Sequence, residues 1–225
     1  MNFYLWLNLI SVALPFIFTF HPKIQFYREW KAVFPAIFIT AIVYIFWDVL
    51  VTLRGDWSFN PEYAGHGVFW GLPVGEVLFF FCIPYACLFL YHGLKLPFKE
   101  RMLPIPLILF KGVAIGCFVV AFALYYKDYT LLAFLSCGLF LLITVKVKPD
   151  LLLSSSTWWF YLASYIGFVG VNGVLTALPV VLYAPKAIIG IRVFTIPLED
   201  FFYNFSFLGF NLLLYQIFAK RLKYV

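Results

Sequence analysis

The sequence predicts an all-α polytopic membrane protein, with seven transmembrane helices arranged as two parallel three-helix repeats joined by a linking helix. Three observations predict it. The 225 residues are 64% hydrophobic and only 12% charged, far outside the range of soluble domains. Apolar runs long enough to cross a bilayer recur along the whole length. The chain also matches itself, without a gap, at an offset of 124 residues.

The runs place spans at roughly 3–20, 31–53, 74–94, 104–126, 129–147, 157–183 and 197–219. The first, "MNFYLWLNLISVALPFIFTF", lacks a basic leader and a small-residue cleavage site, so it reads as a helix rather than a signal peptide. The net charge of +6 does not point to nucleic acid, because the basic residues sit at span ends, where lipid headgroups meet them. With seven spans, one side of the membrane receives Lys23, Arg28, Lys31, Lys95, Lys99, Arg101, Lys146, Lys148, Lys220, Arg221 and Lys223. The other receives Arg54, Lys127, Lys186 and Arg192. That bias predicts a multi-pass protein of the cell membrane with its N-terminus outside and its C-terminus in the cytoplasm.

The internal match runs through two spans and a long loop. "LPVGEVLFFFCIPYACLFLYHGL" (72–94) lies over "IPLEDFFYNFSFLGFNLLLYQIF" (196–218), with Pro73 on Pro197, Glu76 on Asp200, Leu88 on Leu212 and Tyr91 on Tyr215. Upstream, Pro61 falls on Pro185, Thr52 on Thr176 and Asp48 on Asn172. The expected organisation is a first repeat over 1–94, a linking helix over 95–128 and a second repeat over 129–225. Three spans plus one return the chain to its starting side, so the repeats are parallel. Their Pro-led helices then begin at the same depth, and their acids can meet.

Those acids are the candidate catalytic residues: Glu76, Glu199 and Asp200. Acids in a first helical turn are ordinary capping. Here they lead straight into "VLFFF" and "FFYNF", and long apolar loops at 54–72 and 184–196 precede them. Two adjacent carboxyls in such surroundings cannot both be ionised cheaply, so one is expected neutral and one charged. Helical spacing sets Phe79 and Phe80 beside Glu76, and Phe202 and Tyr203 beside Glu199 and Asp200. Proton donors beside π-faces in a dry site suit carbocation chemistry. Asp48 and Asn172, inside equivalent spans, are candidates for substrate binding or for an interhelical hydrogen bond. Cys82, Cys87, Cys117 and Cys137 lie within spans at no metal or redox spacing, and no metal site is expected.

Residues 48–91 and 172–215 resemble the integral-membrane, heterodimer-type lycopene cyclases, in their fused single-chain form. That family carries P-x-E-[E/D] in each half. The second half here reads Pro197-Leu198-Glu199-Asp200; the first reads Pro73-Val74-Gly75-Glu76, with glycine in place of the first acid. The resemblance implies an enzyme, an intramolecular lyase or isomerase of carotenoid biosynthesis: a lycopene β-cyclase. It would close acyclic end groups of lycopene, or a related carotenoid, into β-ionone rings through a proton-initiated, redox-neutral carbocation reaction. Glu199 is then the natural donor, with Glu76 and Asp200 as partners. Another class of lycopene cyclase uses a flavin; its G-x-G-x-x-G turn has no counterpart here, so no cofactor is expected. The implied partners are the carotenoid, membrane lipids and neighbouring enzymes of the pathway. The alternatives are a small-molecule transporter on parallel three-helix repeats, a retinal-binding seven-helix protein and a non-catalytic carotenoid-binding subunit.

Overall fold

Helices occupy all seven of the expected positions, since a bilayer leaves backbone N–H and C=O groups no partner but one another. The computed structural model describes residues 2–222; Lys223, counted in the charge bias above, lies outside them. In chain order the elements are α1 (Phe3–Phe18), α2 (Trp30–Arg54), β1 (Trp57–Phe59), α3 (Pro61–Ala64), α4 (Val74–Leu94), α5 (Leu107–Ala123), α6 (Asp128–Val147), α7 (Pro149–Leu153), α8 (Ser155–Ala177), β2 (Val181–Tyr183), β3 (Arg192–Val193), β4 (Ile196–Pro197) and α9 (Leu198–Leu222). A short 3₁₀ turn, Phe26–Glu29, leads into α2.

Among the described residues, five helices are long and apolar enough to cross a membrane: α2, α4, α6, α8 and α9. The other two, α1 and α5, are apolar but have 16 and 17 residues. One boundary differs from expectation. The sixth span ends at Ala177 rather than running to 183, because Pro179 disfavours helix at the residue before it. From Val181 the backbone then runs extended as β2.

The packing follows the 124-residue interval. The first helix of each repeat lies on the third: α1 on α4, and α6 on α9. The second helix of each lies on the third helix of the other: α2 on α9, and α8 on α4. The linking helix α5 packs on α6. Buried aromatics such as Phe80, Phe160 and Phe207 fill the centre.

Two further equivalences lie in the loops. The strands β1 and β2 are 124 residues apart and pair with each other, antiparallel. Just before each acid-bearing helix the chain makes the same tight hairpin, bridged by Phe69 and Leu72 in one half and by Val193 and Ile196 in the other. Each hairpin tip holds an exposed aromatic at positive φ, Trp70 at 47° and Phe194 at 56°. That conformation is uncommon for a residue with a side chain.

Candidate active site

The N-terminal turns of α1, α4, α6 and α9 and the last turns of α2 and α8 gather at one end of the bundle. Over them lies the β1–β2 pair, with β1 inside the loop at 54–72 and β2 just ahead of the loop at 184–196. Beneath it is a small cavity lined by fourteen residues, eight of them aromatic. Glu76 and Asp200, equivalent residues of the two halves, both border it.

Each of these acids is held in the same manner by its own half. A tyrosine from the first helix donates to it: Tyr4 Oη to Glu76 Oε2 at 2.7 Å, and Tyr129 Oη to Asp200 Oδ1 at 2.6 Å. A polar residue from the second helix adjoins it: the Asp48 carboxyl beside Glu76, and Asn172 Nδ2 donating to Asp200 Oδ2 at 2.7 Å. The lid completes each set. Trp57 Nε1 donates to Asp48 Oδ1 at 2.9 Å, and Tyr183 Oη to Asp200 Oδ2 at 2.8 Å. Tyr183 lies in β2, outside the spans; burial, then the neighbouring Asp200, lift its hydroxyl well above the ordinary phenol value, so it stays a donor.

The two halves differ in one chemical respect. Three O–H or N–H donors converge on Asp200, a setting that suits a carboxylate. On the other side, Asp48 Oδ2 receives no hydrogen bond from an N–H or O–H donor, and its neighbour is the Glu76 carboxyl. Two buried carboxyls side by side cannot both be ionised cheaply, so the pair suits one shared proton.

Of the residues expected from the sequence, the cavity brings together Glu76, Asp200, Phe79, Tyr203 and Asn172. Asp48 stands directly behind Glu76. Three others are placed elsewhere. Glu199 is fully buried but does not border the cavity: Thr130 Oγ1 and the Ile189 N–H donate to its Oε1, at 2.7 and 2.6 Å. It fastens the loop at 187–189 across the starts of α6 and α9, and the Tyr129 and Thr130 N–H groups donate to Ala187 O in the same clasp. Phe80 packs edge-on to Phe79 and Phe207 in the core. Phe202 turns the other way and meets Phe134.

Sequence reasoning missed Tyr4, Tyr129, Trp57 and Tyr183. A signal existed: Tyr4 and Tyr129 each open the first helix of a repeat, 125 residues apart, one off the main register. Gly75 is also explained. A Cβ there would sit 2.8 Å from the Tyr4 ring, so the space of the missing acid is taken by the tyrosine that serves Glu76. Asn211, buried in the later part of α9, donates to Phe207 O of its own helix.

A family model described as lycopene cyclase matches residues 1–94 and 126–218. The chain belongs to the lycopene cyclase family. The two matched segments pass over residues 95–125, which hold α5. Comparison with curated proteins and with solved structures gives no match. Membership makes this lycopene cyclase relative a carotenoid-cyclising enzyme with a carotenoid substrate, and its long apolar helices fit a multi-pass membrane location.

Proposed function

We propose that the chain is a lycopene β-cyclase, and that proton transfer is divided between the two halves, Glu76 giving and Asp200 taking. The observation that carries this is the shared cavity: two carboxyls from opposite halves border one aromatic-lined space, one beside a second carboxyl and the other ringed by donors.

The chemistry runs as follows. Glu76, with Asp48 holding the shared proton in reserve, protonates the terminal double bond of the polyene and leaves a tertiary cation. The neighbouring double bond attacks that cation, closes a six-membered ring and leaves a second tertiary cation. Asp200 removes the hydrogen from the ring carbon that bears the polyene chain. The new double bond is then conjugated with the chain, which defines the β ring. One proton enters and one leaves, so the reaction is redox-neutral, and the resting state returns when Asp200 passes its proton back towards Glu76.

Tyr203, Phe79 and Trp57 offer π-faces to the cations, and the lid keeps out water that would quench them. Glu199 is a positioning residue in this scheme, since its carboxyl fastens the loop. In this reading the cavity faces outward, on the side of the N-terminus, and the charge bias supports that orientation. Expression in lycopene-accumulating cells tests the reading. Ring-bearing product is expected from the unaltered chain, and Glu76→Gln or Asp200→Asn should each lower it by about 100-fold or more. Unchanged lycopene in cells that carry the unaltered chain in their membranes would refute it.

A further inference from the structure

The acid cavity has a volume of about 60 Å³, room for a few water molecules and too little for a six-membered ring with its methyl groups. Space continues sideways. Between α1, α4, α8 and α9 runs an apolar groove of about 280 Å³, and four residues belong to both: Phe79, Phe168, Asn172 and Asn204. The inner end of the groove is therefore the wall of the cavity.

The repeat provides a second groove, of about 560 Å³, between α2, α6 and α9. Its residues on α2 are the counterparts, 124 positions back, of those that α8 gives the first groove: Val43 for Gly167, Tyr44 for Phe168, Trp47 for Val171. This second groove shares no residue with the acid cavity. Trp47 closes it. Its indole stacks on Tyr44 at 5.4 Å between centroids and meets the Tyr203 ring edge-on at 5.2 Å. The Tyr44 hydroxyl is tied to Ser136 and Ser206, at 2.8 and 3.2 Å, which holds the plug in place. At the matching point of the first groove stands Val171, with no ring to lay across the opening.

We infer that the groove between α1, α4, α8 and α9 is the passage by which one end of the linear polyene reaches the acids from the lipid, kept open by Val171 and Gly167, while Trp47 shuts its duplicate. The inference rests on the cyclase reading and adds its route: a single open passage admits one end group at a time. A substrate cyclised at both ends must withdraw and turn round between the two reactions.

Gly167 gives the cleanest test. A Cβ there meets nothing within 4 Å, so a leucine side chain starts unhindered into the groove, and Leu favours helix over Gly. Val43→Leu, at the same repeat position in the closed groove, is the control, and Val171→Trp is a second blocking variant. Each is expressed in lycopene-accumulating cells. Ring product per membrane-inserted chain and the acyclic pigment that co-purifies with it are both measured. Gly167→Leu and Val171→Trp are expected to lose at least tenfold in both, with Val43→Leu equal to the unaltered chain. Gly167→Leu with full conversion and full pigment, or an equal loss in Val43→Leu, overturns the passage and leaves the cyclase reading intact. Absence of ring product from the unaltered chain overturns the cyclase reading instead, and the pigment comparison then still decides for or against the groove.

Discussion

Ser58 of β1 lies opposite Leu182 of β2, and the two are the same position of the repeat, 124 residues apart. Their neighbours exchange across the pair: Trp57 faces Tyr183, and Phe59 faces Val181. A two-fold axis through the middle of a strand pair produces this register. The lid over the acids is thus half from each repeat, and it brings Trp57 to Asp48 and Tyr183 to Asp200 from the two sides of that axis.

Asp48 is expected to matter for chemistry and little for assembly. Its counterpart Asn172 shows that an amide fits the position, so Asp48→Asn should leave thermal stability within about 1 kcal/mol of the unaltered protein. An amide cannot hold a proton for Glu76, so ring formation should fall by about tenfold or more. Melting temperature and product yield, measured on the same preparation, check both halves of the prediction.

Tyr183 ties lid stability to pH. Its hydroxyl is held well above the ordinary value of 10.0, first by burial and then by Asp200. The folded chain therefore keeps this proton at pH values where the unfolded chain has released it. The contribution is complete below about pH 10 and is lost as pH rises above that toward the folded value. Tyr183→Phe should cost roughly 1–3 kcal/mol at neutral pH, the range for a hydrogen bond to a carboxylate. It should also flatten the fall in melting temperature between about pH 9 and 11. An unaltered alkaline fall in this variant would remove Tyr183 as a cause.

Gly75→Glu restores the acid that the family motif carries and should lower conversion rather than raise it. The new Cβ would lie 2.8–3.0 Å from atoms of Tyr4, so the ring must move and its hydroxyl leaves Glu76. Gly75→Ala shows the same effect without a second carboxyl, which separates crowding from charge. Wild-type conversion in the alanine variant would contradict this account.

Glu199 separates two roles. Gln keeps an oxygen for Thr130 Oγ1 and the Ile189 N–H, so Glu199→Gln should retain conversion within about threefold, whereas Glu199→Ala releases the loop and loses about tenfold. A direct proton donor would behave differently, with Gln as damaging as Ala. Product ratios for the two variants decide between them.

Much of this architecture was legible in the sequence. Apolar runs placed the helices because a bilayer demands length and greasiness. The ungapped offset placed Glu76 and Asp200 as partners because equivalent residues of parallel repeats sit at equal depth. The strands were not legible: "WSF" and "VLY" are three residues each and pair across 124 positions, too short for alternation to show. The direction of Glu199 was hidden as well. Adjacent residues on a helix point about 100° apart, and which of Glu199 and Asp200 met the cavity depended on how α9 lay against α6. Phe202 follows the same geometry: one step round the helix from Tyr203, it meets Phe134 rather than the cavity.

The exchange of α2 and α8 between the repeats bears on how the chain assembles. After the first 94 residues have been made, α1, α2 and α4 can pack on one another, but the side of α2 that α9 will cover still faces lipid, as does the side of α4 awaiting α8. A first half produced alone carries both surfaces at once, and another copy of itself offers matching shapes. Duplication of such a half, followed by fusion through α5, turns a pair of identical halves into one chain whose two sides were then free to diverge.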